Sequence, residues 1–429
     1  MIREYDQFIA GGGLGGLLCA SLLSKESKSI YLAERLPFFG GRFTAMDYKG
    51  FQISTGAVHM IPHGKKGPLG QILLRELNLP VKIIENEYFT TWYWPPKRDL
   101  VQHRNFWGIF KALKRYQQRY FILHKLLLKA RKSDQFSNTF HEFLEEETDD
   151  SEIFQFFNAI AGFALSLDIS EIPTAEMFRF LKRLYERGKP GVPHGGCKTI
   201  TNALVQYSKK KKAKLNLNTE LLRLEIDGSE ISSAVCLDRK NGEEFELLAS
   251  QYILNLGHPQ INTILERSNL PFRLPSTPVA RGGGFIFHTD KSLLKRSTVA
   301  QFPTLDHVKG AVEPTLCSSG LAPNGKSMFI THQVFHTDNI VKETQLARDE
   351  IFQAFPNLKE ENEICVHTFH KEWPVNFAVQ GHDLPNHSNE ISNLYFVGDG
   401  FKGKAGWIMT EGVAYGAKQI VINILHKNN

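Results

Sequence analysis

Two short apolar runs near the start of the chain, Phe8-Ile9-Ala10 and Ile30-Tyr31-Leu32-Ala33, have the length of buried strands and not of helices. Between them Leu14, Leu17, Leu18 and Leu22 recur at i, i+3, i+4 and i+8, the rhythm of a helix with one buried face. The far end repeats the theme. Leu394-Tyr395-Phe396-Val397 reads as a strand, and Val413, Ala414, Ala417, Ile420, Val421 and Ile424 hold a helical period after it. Similar signals at both ends imply that the intervening chain leaves one unit and returns to it.

The middle of the chain changes period twice. Alternation at Leu222, Leu224 and Ile226, a turn at Asp227-Gly228, a return through Ile231 to Leu237 and a second turn at Asn241-Gly242 predict a three-stranded meander ending in Phe245-Glu246-Leu247. Tyr252 to Leu256 reads as a further core strand. Phe285–His288, Met328–Gln333 and Ile364–Thr368, with a helix around Glu343–Phe355, predict a second sheet. Ile153 to Leu167 is fifteen residues without a charge. It falls short of the roughly 20 needed to span a bilayer and reads as a buried helix, secondarily as the wall of an apolar channel. A helix is also expected near Leu69–Leu77, and Pro190 to Cys197 is a strong breaker marking re-entry into the first unit. The resulting division assigns 1–70, 191–260 and 386–429 to one unit, with a largely helical insertion over 71–190 and the second sheet over 261–385.

Composition narrows the class. A length of 429 residues exceeds the roughly 250–300 at which single cores stop growing, so more than one packed unit is required. A net charge of +6 is too mild for a nucleic-acid-binding protein of this size. Five scattered cysteines with no C-x-x-C fit a reducing compartment, not a disulfide framework or a zinc site. No apolar run reaches 18 residues and the first residues carry acids, so neither a membrane span nor a signal peptide is expected, and a cytoplasmic location follows. Within 97–132, however, eleven Lys/Arg face a single acid, Asp99, with Phe110, Leu113, Tyr116, Tyr120 and Leu127 opposite the basic side. That is either an ordinary helix with a solvated basic back or a peripheral contact with an anionic membrane. A dense acidic cluster follows, from Glu142 to Glu152.

The chemistry concentrates at the first apolar run. Gly11, Gly13 and Gly16 stand in G-x-G-x-x-G spacing, directly after a strand and at the start of a helix. A pyrophosphate needs backbone N–H groups aimed at it and the positive end of a helix dipole beneath it, and this turn supplies both through Gly13, Leu14, Gly15 and Gly16. Glu34 closes the second strand, 18 residues past Gly16, where a carboxylate can hold a ribose. Gly398-Asp399, after the last strand, is a second anion and hydroxyl site. The stretch binds a dinucleotide.

Taken together, Gly11 to Gly16, Glu34-Arg35, Gly40-Gly41-Arg42, Pro193-His194-Gly195-Gly196 and Val397-Gly398-Asp399 resemble the flavoprotein family of phytoene desaturases and flavin amine oxidases. Glu372-Trp373-Pro374-Val375-Asn376 is similar to the shorter phytoene-desaturase-like members. The resemblance implies an α/β fold: a glutathione-reductase-type FAD-binding Rossmann domain with a discontinuous mixed α+β substrate domain. It implies FAD, with Glu34 at the adenosine ribose and Arg35 beside it, Gly41 and Arg42 at the pyrophosphate, and the backbone of Leu222 at the adenine. Asp399 with Gly398 would meet the ribityl chain, and Gly406, Trp407, Ile408 and Gly412 would adjoin the flavin at a helix N-terminus. Gly400 to Trp407 departs from the Gly-x-x-His-x-Pro-Gly run of carotenoid desaturases.

The implied activity is hydride transfer between a small apolar or amphipathic, isoprenoid-like substrate and the flavin. An amine oxidase, or a double-bond reductase or isomerase on a smaller polar metabolite, is the enzyme alternative. A non-catalytic carrier of prenylated partners on the same fold is opposed by the complete fingerprint. Candidate catalytic residues are His59 as proton acceptor, Lys404 as a polarising cation and Trp407 as a cavity wall. Each has a plainer role: a loop histidine, a solvated lysine, a packed indole. His332 and His336 would lie on one strand face but roughly 13 Å apart, so no metal is expected there. On the membrane reading of 97–132, anionic liposomes should carry the protein in flotation at low salt and release it at high salt. Failure to float would leave this stretch a solvated face.

Overall fold

The computed structural model describes residues 3–56, 58–94, 99–104, 116–130, 135–186, 188–275, 279–370, 384–403 and 405–427. The apolar runs at both ends of the chain meet in one sheet. Its parallel part is ordered Leu394–Phe396, Glu243–Leu254, Arg3–Ala10, Ile30–Glu34 and Lys214–Leu217. The register brings Ala10 opposite both Ala33 and Leu254, and Leu254 opposite Phe396. Four strands therefore end at one level, and the residues just beyond them form a common edge.

The meander was expected as three strands followed by a separate core strand. Instead Glu243–Leu254 is one continuous twelve-residue strand. Its first half pairs antiparallel with Glu230–Asp238, and its body runs parallel to Arg3–Ala10. Leu248-Ala249-Ser250-Gln251 contains no glycine or proline to break it, so the ladder carries straight through.

The first helix, Leu14–Lys25, is buried from Leu14 to Ser24 and not on one face alone. The apolar stripe meets the sheet, while Gly15, Cys19, Ala20 and Ser21 are small enough for two further helices to close over the other side. These are Cys197–Lys210 and Met409–Lys427. Ser21 Oγ and Ser208 Oγ hydrogen-bond across one contact at 2.9 Å. The helix expected near Leu69–Leu77 is a short α turn, Pro68–Gln71, running into a π turn, Ile72–Glu76.

The second sheet is mixed, ordered Glu363–Phe369, Gly282–Thr289, Ser327–Val334, Val308–Val312, Val299–Gln301, Thr90–Trp94 and Asp99–His103. The uncharged segment forms the helix Ser151–Leu165, which lies across it. Close approach is possible because a Cβ on Gly310 would stand 2.5 Å from the Phe163 ring, and one on Gly162 would stand 2.3 Å from Lys309 Cγ. Each large side chain buried there is worth roughly 1.5–3 kcal/mol.

Asp150 caps the same helix, accepting from Glu152 N at 3.1 Å. Arg119, from the helix Tyr116–Lys129, pairs with Asp150 and Glu152, and Lys125 and Lys129 both pair with Glu147. Among the described residues, three basic side chains of the first tract are thus paired with three acids of the second. Leu123 and Leu126 face the core, while Phe121 is 77% exposed. Lys111, Lys114, Arg115 and Lys132 lie outside the described residues, as does Glu372 to Asn376. Among the described residues no helix is long and apolar enough to cross a membrane.

Candidate functional site

A cavity of about 670 Å³ opens along the edge where the parallel strands end and continues to the second sheet. Its size is within the roughly 300–1,000 Å³ of ligand pockets. At the fingerprint, Gly11 has φ +99°, and a Cβ there would lie 2.3 Å from the Asn255 carbonyl oxygen. Gly13 and Gly15 form the floor, and a Cβ on either would strike the Asn255 side chain, at 2.9 and 2.7 Å. Gly16 lies behind, where a Cβ would be 2.1 Å from Gly11 O. Gly13 precedes the first helical residue, so the first-turn N–H groups have no intrahelical acceptor and remain for an anion.

Glu34 is buried at the end of its strand, and its Oε2 and Oε1 accept from Gly12 N at 2.6 Å and Leu36 N at 2.8 Å. Burial raises its pKa, opposed by those N–H groups and by Arg35. Both Glu34 and Arg35 line the cavity, with Gly40, Gly41 and Arg42 beside them. Arg42 reaches Asp399, Nη2 to Oδ2 at 3.7 Å, so the first and last pieces of the site share a charge pair. Burial pushes Asp399 up, and Arg42 and Lys402 act against that.

Several expected positions shift. Leu221, with Thr219 and Glu220, faces the cavity in place of Leu222, because the strand is bulged between Leu221 and Arg223. At the far end Met409, Thr410 and Val413 form the edge, not Gly406, Trp407, Ile408 or Gly412. Trp407 packs edge-on against His63 at 5.2 Å with the Arg183 guanidinium 4.8 Å over its ring. Ile408 joins the apolar cluster of the buried helix, Gly406 (φ +73°) abuts Arg179, and Gly412 backs onto Lys402. These residues deliver Thr410 to the cavity and do not themselves line it. Glu411 points away, accepting from His63 N and Leu69 N, and burial pushes it up to about 7.

His59 is held by backbone on both sides: Nε2 donates to Gln52 O at 2.7 Å, and Nδ1 accepts from Cys197 N at 3.2 Å. Burial lowers its pKa, so the ring is a neutral, fixed strut between Val58 and Met60, which do line the cavity. Lys404 lies outside the described residues. Its neighbour Lys402 is buried, with no hydrogen-bond partner for Nζ among them, and burial pushes it down to about 8 against the pull of Glu176 and Asp399.

Three lining residues were not legible in the sequence as site residues. Asn255 follows directly on its strand, donating Nδ2–H to Gly11 O at 3.1 Å; a polar side chain inside Leu254-Asn255-Leu256 was the available signal. His258 has both ring nitrogens buried and without hydrogen-bond partners among the described residues, and burial beside Arg42 pushes it down to about 4. His332 meets Ser166, Nε2 to Oγ at 2.8 Å, across 166 positions that no sequence spacing connects. Ser166 takes φ +59° as it ends the buried helix, a conformation that favours glycine. Burial, with His367 nearby, pushes His332 down to about 3, so this pair is neutral at ordinary pH.

The lining fits a dinucleotide. Glycine floor and helix N-terminus suit a pyrophosphate, Glu34 a ribose, and the orphaned polar atoms of His258 and Thr410 Oγ1 offer hydrogen bonds toward the cavity. A two-unit oxidoreductase with a nucleotide cradle facing a mixed-sheet substrate unit is the class these features define. The chain belongs to the family of flavin-containing amine oxidoreductases, whose sequence profile matches residues 14–411. It is 34% identical over 413 residues to an uncharacterised protein of Methanocaldococcus jannaschii, covering 96% of this chain and 98% of that one. An oxidoreductase from Methanosarcina mazei has the same fold, with a TM-score of 0.85 at 29% identity, covering 98% and 100% of the two chains. A 113-residue stretch is 26% identical to a chloroplastic prolycopene isomerase of Daucus carota, covering 26% of this chain and 18% of that protein. The protein is a flavin-containing oxidoreductase.

His332 gives the site a pH signature. Its folded value near 3 lies below the ordinary 6.5, so between these values the unfolded chain binds the extra proton. Stability contributed above pH 6.5 is then lost as pH falls toward 3, at up to about 1.4 kcal/mol per pH unit for one fully differential histidine. His258 acts in the same direction. Urea unfolding from pH 7 to 5 should show a shallower loss for His332→Gln than for wild type; equal slopes would count against the buried neutral imidazole.

Proposed function

We propose that this flavoprotein binds FAD and moves a hydride between an apolar, isoprenoid-like substrate and the flavin. The observation that carries the reading is the part of the cavity beyond the nucleotide cradle. It is formed by Val58, Met60, Pro62, Phe163, Ala164 and Met409, with Ser166, His332 and Thr410 as its polar groups. None of these residues is a carboxylate; the cavity's carboxylates among the described residues, Glu34, Glu220 and Asp399, belong with the cradle residues. An ammonium group entering it would lose water without gaining a counter-charge, at a cost of several kcal/mol. An alkyl or alkenyl chain gains by the same transfer.

FAD held in the cradle would supply the hydride chemistry. The chain's own residues bind, orient and exclude water. Gly13 to Gly15 and Arg42 would hold the pyrophosphate, Glu34 the ribose, and Asp399 the ribityl hydroxyls. The helix Ser151–Leu165 closes the apolar side, and the Ser166–His332 pair offers a neutral hydrogen bond to a polar end of the substrate. The local similarity to a prolycopene isomerase supports a polyene-like substrate and a double-bond rearrangement as the second reading.

Glu34→Ala should weaken FAD binding by roughly 10- to 100-fold, the loss of one or two charge-assisted hydrogen bonds. Fluorescence titration of the apoprotein measures it, and unchanged affinity would remove Glu34 from the ribose. Anaerobic stopped-flow mixing tests the substrate class. Bleaching of the flavin by a polyene, but not by a primary amine, is expected. Bleaching by the amine alone would overturn the apolar reading, and turnover only with pre-reduced flavin would favour isomerisation.

A further inference from the structure

Away from the cavity, at the ends of two neighbouring inner strands of the second sheet, two segments bring together Asp306, His307 and His336. Asp306 and His307 precede the strand Val308–Val312, and His336 follows the strand Ser327–Val334. Donor atoms of all three lie within 4.8 Å of one another. Asp306 Oδ2 is 3.7 Å from His307 Nδ1, and Asp306 Oδ1 is 3.6 Å from His336 Nε2. The helix Ile340–Ala354 adds Glu350, whose Oε1 is 3.4 Å from His307 Nδ1. Four ligands at 2.0–2.2 Å around a tetrahedral ion stand about 3.4 Å apart. We propose that Asp306, His307 and His336 form a three-ligand site for a divalent transition-metal ion of the zinc type, with Glu350 holding the loop beside it.

The surroundings of His307 point to the same use. Its Nε2 faces Glu343 Oε2 at 3.3 Å, on the same helix as Glu350. A carboxylate that accepts from one imidazole nitrogen fixes the tautomer and leaves the other nitrogen for the metal, as outer-shell partners do in zinc sites. That other nitrogen, Nδ1, is the one turned toward Asp306 and Glu350. Glu350 is itself fixed, accepting from the backbone N–H groups of Asp306, His307 and Val308 at 2.9–3.0 Å. The competing contacts are the 3.4 Å hydrogen bond of His307 Nδ1 with Glu350, which raises the His307 pKa and which an ion would displace together with the ring proton, a 3.3 Å approach of His336 Nε2 to Asp306 O, and the nearby cation Lys309, whose Nζ donates to Leu305 O. His307 is buried while the Asp306 side chain is 73% exposed, so the site is preformed on one side and reachable from solvent on the other. Two imidazoles with carboxylates select Zn²⁺ or Co²⁺ over Mg²⁺ or Ca²⁺. A bound ion would tie the segment before one strand to the segment that follows its neighbour.

The test uses full-length protein, as purified and then freed of metal with a chelator. Co²⁺ should bind with one-to-one stoichiometry and the intense visible absorption of a four-coordinate ion, and Zn²⁺ should displace it stoichiometrically. Asp306→Asn and His336→Ala, both at solvent-accessible positions, should each weaken Co²⁺ at least about ten-fold. Glu343→Gln, acting through His307, should weaken it about 10- to 100-fold. Thermal unfolding of Asp306→Asn and His336→Ala without metal should match wild type, and a fixed Zn²⁺ concentration should raise the midpoint of wild type by more than that of either variant. No saturable Co²⁺ binding at about 100 μM, or the same affinity in Asp306→Asn and His336→Ala as in wild type, overturns the proposal.

Discussion

The nucleotide cradle depends on one close contact, between Asn255 and the glycines of the fingerprint. A Cβ on Gly11, Gly13, Gly15 or Gly16 would meet Asn255, at 2.3, 2.9, 2.7 and 3.1 Å. The Asn255 backbone N–H is spent on Ala10 O at 2.7 Å and its amide on Gly11 O at 3.1 Å. The glycines therefore serve two surfaces at once. On one side they let a pyrophosphate approach the backbone, and on the other they let a strand more than two hundred residues away seat its terminal side chain under the turn. Arg42 and Asp399 then join the remaining edges of the same site across their charge pair.

What the sequence made legible follows from how local the cause is. The fingerprint, Glu34, the meander turns and the buried helix are each set within a few residues by backbone requirement or periodicity, and each appears in the fold. Leu221 and not Leu222 lines the cavity where the strand is bulged, and such a bulge leaves no mark on the alternation of its side chains. Gly406 to Ile408 and Gly412 lie beside the cavity and not on it, since their place depends on how Arg179, Arg183 and Lys402 pack behind them. Ser166 and His332 were hidden for the opposite reason. Their chemistry exists only as a pair, and the pair is made by laying a helix across a sheet.

The charged tracts show the same dependence at larger scale. Read alone, the basic stretch suggests a surface for anions and the acidic cluster a solvated loop. In the fold, Arg119 sits between Asp150 and Glu152 at the start of the buried helix, and Lys125 and Lys129 converge on Glu147. Three of the basic side chains thus find their partners in the acidic cluster, across a separation in sequence that neither charge signal reveals.

The continuous strand Glu243–Leu254 has a consequence for the order in which the molecule can be made. It is the only described strand that pairs with both the meander and the parallel sheet, and its other edge receives Leu394–Phe396. During synthesis the first strand can pair at once with Ile30–Glu34, but its other edge and the outer side of the first helix wait for Glu243–Leu254, Cys197–Lys210 and Met409–Lys427, which are not yet translated. Closure over such separations is entropically slow and leaves collapsed intermediates exposed. The cofactor cradle, first in the sequence, is thus among the last parts of the protein to be finished, and a nascent chain would need shelter until the final strand and the helix Met409–Lys427 arrive.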